Sequence, residues 1–355
     1  MSYCIACGRM MDAGAAACEC GQAVDTAFQG NQPAILQAPG TPHYARFLGD
    51  GGTLLLVHLV NVLLTILTAC VYYFWAKAKV RRYLYGQTEF AGARFGYHGT
   101  GFELLKGFAR AVALFFVYFV VLWILQGQLG EKWGPIVASL LLYLVLVLIV
   151  PTILIGAWRF AMSRTSYRGV RFSYSVNHGE FFRFYLRGAL LTLVTLGFYT
   201  PVFLNDLRGW FCRGARYGNM PFGYDGEGKE LYTPYIINLL LTIPTLGIYS
   251  FWFRARLQRH FWNHTTFGPA RFNSTITGGG LLKLTAVNLL LVLFTLGIGL
   301  PWARVRSLRY LLANLSLVGP LDFDAIVQDY RNASATGEAL GAMLDIGDTG
   351  FDAGI

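Results

Sequence analysis

"LLLTIPTLGIYSFWFRARLQRHFW", residues 239–262, decides how this chain is read. An apolar run ends in Pro-Thr-Leu-Gly and passes into a segment where Arg254, Arg256 and Arg259 are interleaved with aromatic residues. Glycine enters the left-handed conformation at little cost and so stops a helix. The stretch therefore predicts an apolar helix, a bend at Gly247, and a second, amphipathic helix lying near a membrane interface.

The same phrase recurs. "TLGFY" begins at Thr195, "TLGIY" at Thr245 and "TLGIG" at Thr295, a spacing of 50 residues each time. Pro201 and Pro301 stand four residues beyond the glycine, where proline suits the first turn of a new helix. Trp75, Trp252 and Trp302 share the next column, with Thr152 and Val202 in its other two places. Twenty residues further lie Phe95, Phe172, Phe222 and Phe272, with Phe323 one position late. Five degenerate copies of a ~50-residue unit are expected, each opening on a short glycine-bearing extended stretch such as "RFGYHGTGFELL". The first copy has Cys70 for Gly and Phe74 for Pro, and is open to running on as one helix.

Composition supplies the environment. Of 355 residues 55% are hydrophobic and 14% charged, with a mean hydropathy of +0.45. Apolar blocks cover residues 54–75, 108–126, 136–158, 186–204, 231–253 and 284–303. Each is near the roughly 20 residues a helix needs to cross a bilayer. Backbone amides in hydrocarbon must be satisfied within their own segment, and the blocks lack the alternation of membrane strands. The expected fold is therefore an all-α integral membrane protein with about six transmembrane helices. The net charge of +10 gathers at the ends of these blocks, so anionic lipid, not nucleic acid, is the expected counter-charge. Nothing at the N-terminus resembles a cleaved secretory signal.

"FWAKAKVRRYLYGQTEFAGARFGYHGTGFELLKG" (74–107) and "VNLLLVLFTLGIGLPWARVRSLRYLLANL" (287–315) resemble the YjgN-like family of bacterial inner-membrane proteins, over about residues 45–315. The resemblance implies a polytopic inner-membrane protein. That family's function is unassigned, so it brings no catalytic residues.

Four zones follow: a cysteine-bearing head (1–24), a linker (25–44), the membrane region (45–320) and an acidic tail (321–355) expected to be flexible. In the head, Cys4-x-x-Cys7 and Cys18-x-Cys20 resemble a zinc-ribbon knuckle, in which four thiolates hold a structural zinc ion. The cramped second pair departs from that pattern, leaving a metal-free knuckle or a redox pair as alternatives. A reduced zinc site places the head in the cytoplasm. The head is also where a protein partner is expected.

Two sets of residues mark candidate sites. Asn61, Thr65 and Thr68, then Asn238, Thr242 and Thr245, then Asn288 and Thr295, fall on one face of their helices. That face serves either interhelical hydrogen bonding or a polar path, and no Asp or Glu stands mid-span to bind a cation. The second set is a basic comb repeated at identical offsets: Lys77, Lys79 and Arg82; Arg254, Arg256 and Arg259; Arg304, Arg306 and Arg309. It reads as a belt of interfacial anchors or as a site for phospholipid headgroups. His260 and His264 lie one turn apart, but without the intervening glutamate of a metalloprotease helix they argue weakly for metal. No nucleophile elbow or catalytic carboxylate pair is visible, and the chain is not expected to be an enzyme.

The expected role is transport, permeation or lipid contact through these faces and combs; the alternative is a scaffold recruiting partners through the head. One conflict is internal to the sequence. Copies with a single crossing each must alternate in direction, yet every copy ends on the same comb. Re-entrant copies resolve it. The oligomeric state is not legible.

Overall fold

The computed structural model describes Ser2–Tyr3, Met10–Met11, residues 42–321, Phe323 and Ile326. The chain divides into two units, Met1–Thr41 and Pro42–Ile355. In the first, β1 (Ser2–Tyr3) pairs antiparallel with β2 (Met10–Met11). Cys4, Cys7, Cys18 and Cys20 lie outside the described residues, and the zinc reading with them.

In the second unit one order of elements recurs: helix, bend, helix, β-hairpin. It runs β3 (Pro42–Phe47), α1 (Gly51–Leu67), α2 (Tyr73–Gly86), β4 (Thr88–Phe90), β5 (Ala93–Tyr97); α3 (Gly101–Ser163), β6 (Thr165–Tyr167), β7 (Val170–Tyr174); α4 (His178–Val194), α5 (Thr200–Gly214), β8 (Ala215–Tyr217), β9 (Met220–Tyr224). A 3-10 turn (Gly228–Leu231) leads into α6 (Tyr232–Thr242), α7 (Ser250–Asn263), β10 (Thr265–Phe267) and β11 (Ala270–Ser274); α8 (Gly278–Phe294), α9 (Leu300–Ala313) and β12 (Leu315–Val318) complete the set.

The all-α expectation is overturned. Strands β3 to β12 close into one ten-stranded antiparallel barrel. Four of its hairpins turn on two residues. Ala91-Gly92 and Arg168-Gly169 both have positive φ, whereas Gly218 and Gly268 alone do so in theirs. These are the two turn geometries that match strand twist. The fifth hairpin is split: β12 pairs with β3, Val318 opposite Pro42, so the two ends of the unit complete the ring. Strand β3 thus begins inside the stretch read as linker.

Register fixes where the helices leave. Phe47 faces Thr88, Tyr97 faces Thr165, Tyr174 faces Ala215, Tyr224 faces Thr265, and Ser274 faces Leu315. Every helical segment joins such a pair, so all leave and return at one rim; the two-residue turns occupy the other. Comb-bearing helices therefore share a side, and strict alternation of the copies is excluded by the strand pairing itself.

The barrel interior is solid. Phe95 packs on Tyr167, Phe172 on Tyr217 and Phe222 on Phe267 with ring centroids 4.7–4.9 Å apart. The columns continue around the circuit, from Phe95 to Phe172 to Phe222 to Phe272, at 6.4–6.5 Å. Tyr217 donates its hydroxyl to the Tyr167 carbonyl, and Tyr167 to that of Phe90, so these two phenols are satisfied within the ring. Leu321, Phe323 and Ile326 join this cluster, so the start of the acidic tail packs into the barrel.

The Thr-Leu-Gly bends are alike in detail. Leu196, Leu246 and Leu296 have φ near +50°, and the glycines that follow lie at +82° to +92°. Each threonine hydroxyl donates to the carbonyl four residues back and accepts the amide four residues on, as Thr245 does with Leu241 and Tyr249. The first copy bends too, correcting the single helix allowed above: α1 stops at Leu67, Ala69 and Cys70 take φ of +47° and +69°, and Thr68 accepts the Tyr72 amide.

Six spans reduce to two. Only Gly101–Ile124 and Gly134–Ser163, both within α3, are long and apolar enough to cross a bilayer among the described residues. α3 is folded back on itself, since Arg164, just beyond its end, meets Glu103 near its start at 2.8 Å and the Tyr118 hydroxyl lies 3.4 Å from the Ala138 carbonyl. Only 12% of each span's most apolar window is buried within the chain itself. The helices α1, α4, α6 and α8 have 17, 17, 11 and 17 residues. At 1.5 Å per residue these reach at most about 25 Å, short of the roughly 30 Å hydrocarbon layer.

Candidate functional site

The helical rim divides into an apolar crown and a basic collar. The crown is the set of bends. Leu196, Leu246 and Leu296 are 89–93% exposed, and Ile243 and Phe294 beside them more than 80%. Burying one such leucine is worth roughly 1.5–3 kcal/mol, so this surface calls for lipid or a partner.

The collar is carried by the second helix of each pair. α2, α5, α7 and α9 pack against barrel strands β5, β9, β11 and β3. Small residues on α2, α7 and α9 (Ala76 and Ala78, Ala255, Ala303) are buried. The comb residues flank these buried positions on the same helices. Lys79, Arg82, Arg254, Arg256, Arg306 and Arg309 are exposed; Lys77, Arg259 and Arg304 are half-buried. Lys79 stands 5.3 Å over the Tyr72 ring, and Arg309 donates to the Gly49 carbonyl of the neighbouring copy at 2.7 Å. Arg82, Arg254, Arg256, Arg259 and Arg306 have no acidic partner among the described residues. Charges left open on one rim beside an apolar crown suit an anionic interface.

The tryptophan column has a role that the sequence conceals. A Cβ added to Gly101 would strike Trp75, one added to Gly278 would strike Trp252, and one added to Gly51 would strike Trp302. Each indole packs where the next helix starts, and Trp302 on Gly51 closes the circle. In the third copy the smaller Val202 lies against Gly228 in the same way.

The Asn/Thr column is structural in its contacts. Asn61 donates across to the Ala76 carbonyl at 3.4 Å, and Asn288 to Ala303 and Ser307 at 3.3 and 3.0 Å. Thr65 and Thr242 donate to the carbonyls of Asn61 and Asn238 at 2.6 and 2.5 Å. Thr68, Thr245 and Thr295 are the bend staples. Asn61 and Asn288 thus tie together the two helices of their pairs, while the threonine hydroxyls donate within their own helices.

One further group was not assembled by sequence reasoning. Glu230, in the 3-10 turn, meets His260 and His264 from the end of α7. A search confined to one helix finds only the two histidines, because the carboxylate arrives from the other arm of the pair. By contrast, Cys70 is exposed at its bend and Cys212 is buried beside Thr265, apart from any such group.

A family model described as a bacterial protein of unknown function (DUF898) matches residues 42–236, 219–272 and 253–343, beginning at the first barrel strand. The inner membrane protein YjgN of Escherichia coli (strain K12) is 34% identical over 163 residues, covering 46% of this chain and 38% of that protein. Its namesake in Salmonella typhimurium is 29% identical over 168 residues, covering 46% and 39%. The matched part of the chain thus spans under two fifths of these relatives. No solved structure matches.

Proposed function

Because the chain belongs to DUF898, a bacterial family of unknown function whose curated relatives here are inner membrane proteins, we propose that it is a membrane-seated ring that binds anionic lipid on one leaflet. In this reading the unit has been duplicated in tandem. The long pair within α3 crosses the membrane twice, and the four shorter pairs enter one leaflet without crossing. The barrel and the combs then sit on the cytoplasmic side, in keeping with the bias of basic residues to that side.

The observation that carries the reading is the shared rim, where bends exposing Leu196, Leu246 and Leu296 accompany combs whose Arg254 and Arg256 lack acidic partners among the described residues. Permeation has less support. Aromatic side chains pack together inside the barrel, and the Thr65 and Thr242 hydroxyls donate to backbone, while the side-chain oxygens of Asn61, Asn238 and Asn288 are buried without a hydrogen-bond partner among the described residues. Recruitment of partners through the cysteine head rests on residues outside those described. The test is lipid retention: the chain is reconstituted in nanodiscs holding phosphatidylglycerol and phosphatidylcholine, and bound lipid is counted by native mass spectrometry. Enrichment of phosphatidylglycerol that falls in an Arg254→Ala/Arg256→Ala/Arg259→Ala variant supports the reading. Equal retention of both lipids, or enrichment that survives the variant, overturns it.

A further inference from the structure

The group at Glu230 has a hydrogen-bond logic that fixes its protons. Asn205 donates its amide to the Gly226 carbonyl at 2.9 Å, and a carbonyl can only accept. Its Oδ1 therefore faces Tyr224, whose hydroxyl donates at 2.6 Å, and His260 Nε2, 3.1 Å away. Nε2 of His260 must carry the proton. Asp225 Oδ1 lies 2.9 Å from His264 Nδ1, so that nitrogen carries the proton of the second ring. Asp225 is itself held by Arg271, whose Nη2 reaches Oδ2 at 2.5 Å.

The remaining ring nitrogens converge. His260 Nδ1 is 3.3 Å and His264 Nε2 3.6 Å from the same oxygen, Glu230 Oε2. Two imidazole lone pairs aimed at one carboxylate repel it unless a cation lies among them. A proton serves one contact; a metal ion serves all three. The two carboxylate distances are close to the roughly 3.3–3.4 Å that separates ligands about 2.0–2.1 Å from a tetrahedral zinc ion, and all three ligand atoms lie within 4.8 Å of one another. Second-shell acceptors on both histidines, Asn205 and Asp225, are the usual companions of ligating imidazoles.

The corresponding place in the long pair shows what a plain clasp looks like. There Glu103 meets Arg164 at 2.8 Å, a complete ion pair without an imidazole. The positions matching His260 hold Tyr83, Phe160, Trp210 and Tyr310 in the other copies, so His260 is peculiar to this one. We infer that Glu230, His260 and His264 bind a divalent zinc-class ion at the foot of the α6–α7 pair. Three protein ligands leave a fourth position for water, on the side where Glu230 is 57% exposed.

The probe is Zn2+ itself, on the full chain in detergent with Cys4, Cys7, Cys18 and Cys20 replaced by serine so that the head contributes no thiolates. After chelator stripping, competition with a chromophoric indicator should report one zinc per chain. Glu230→Gln and His264→Ala should each weaken binding at least about 100-fold, and Asp225→Asn about 10–100-fold. Zinc should raise the thermal midpoint of the parent and not of Glu230→Gln, whose midpoint in chelator should stay close to the parent's. Absence of binding to the parent, or undiminished zinc in both Glu230→Gln and His264→Ala, overturns the inference and leaves a proton-mediated clasp.

Discussion

Two adjacent glycines at the start of α8 should respond to the same substitution with opposite signs. A methyl group on Gly278 would come within 2.6–2.7 Å of Trp252 Cγ, Cα and Cδ1. Carbon atoms pack at about 3.5–4.0 Å, so Trp252 must retreat by roughly 1 Å. Because one of the atoms struck is Cα, rotating the indole cannot relieve it and the packing of α7 on α8 must open. Overpacking of this kind costs about 1–3 kcal/mol, set against about 0.4–1 kcal/mol gained by restricting the unfolded chain. Gly278→Ala should therefore destabilise by up to roughly 2.6 kcal/mol, about 1.3 kcal/mol at the middle of the range. Gly279 has nothing within 4 Å of the added atom, and Gly279→Ala should stabilise by about 0.4–1 kcal/mol. Reversible unfolding in mixed detergent, followed by tryptophan fluorescence, reads both. If Gly278→Ala proves as stable as Gly279→Ala, the indole-on-glycine contact does not join neighbouring copies.

Other consequences follow from the bends and caps. Cys70 occupies at φ +69° the place that glycine holds in three other copies, so Cys70→Gly should raise stability by about 0.5–1 kcal/mol in the same assay. Thr245→Val removes the donor to Leu241 and the acceptor for Tyr249, and should cost about 1–2 kcal/mol; an unchanged midpoint would deny the staple. Asp50 caps α1, and hydrogen bonds from the Thr53 and Gly52 amides hold its carboxyl below the usual carboxylate range. A folded pKa lower than the unfolded one gives stability that is full above the unfolded value, about 3.9, and is lost as pH falls through the folded value. Asp50→Asn keeps a capping oxygen and should flatten that acid-side decline; an unaltered pH profile would show the cap to be silent.

The bends were legible because glycine, proline and threonine each have a local mechanism there. The barrel was not. Its strands are three to six residues long, too short for alternation to show, and one hairpin joins residues 42–47 to 315–318. The phenylalanine column at 95, 172, 222 and 272 was visible as a repeat, yet only strand pairing shows that its members face one axis. The count of spans failed for a related reason. Hydropathy is blind to a left-handed residue, so blocks such as 186–204 and 284–303 ran straight across the bends at Gly197 and Gly297. Glu230 escaped notice because it meets its histidines only once α6 and α7 are paired.

Sidedness tests the central claim most directly. With all six native cysteines replaced, single cysteines at Asn219 on the turn rim and in place of Arg82, Arg256 and Arg306 in three combs are exposed to a membrane-impermeant maleimide, in intact spheroplasts and in inverted vesicles. The common rim requires all four to react from the same side. Labelling of Arg256 and Arg306 positions from opposite sides would contradict it and restore the alternating spans.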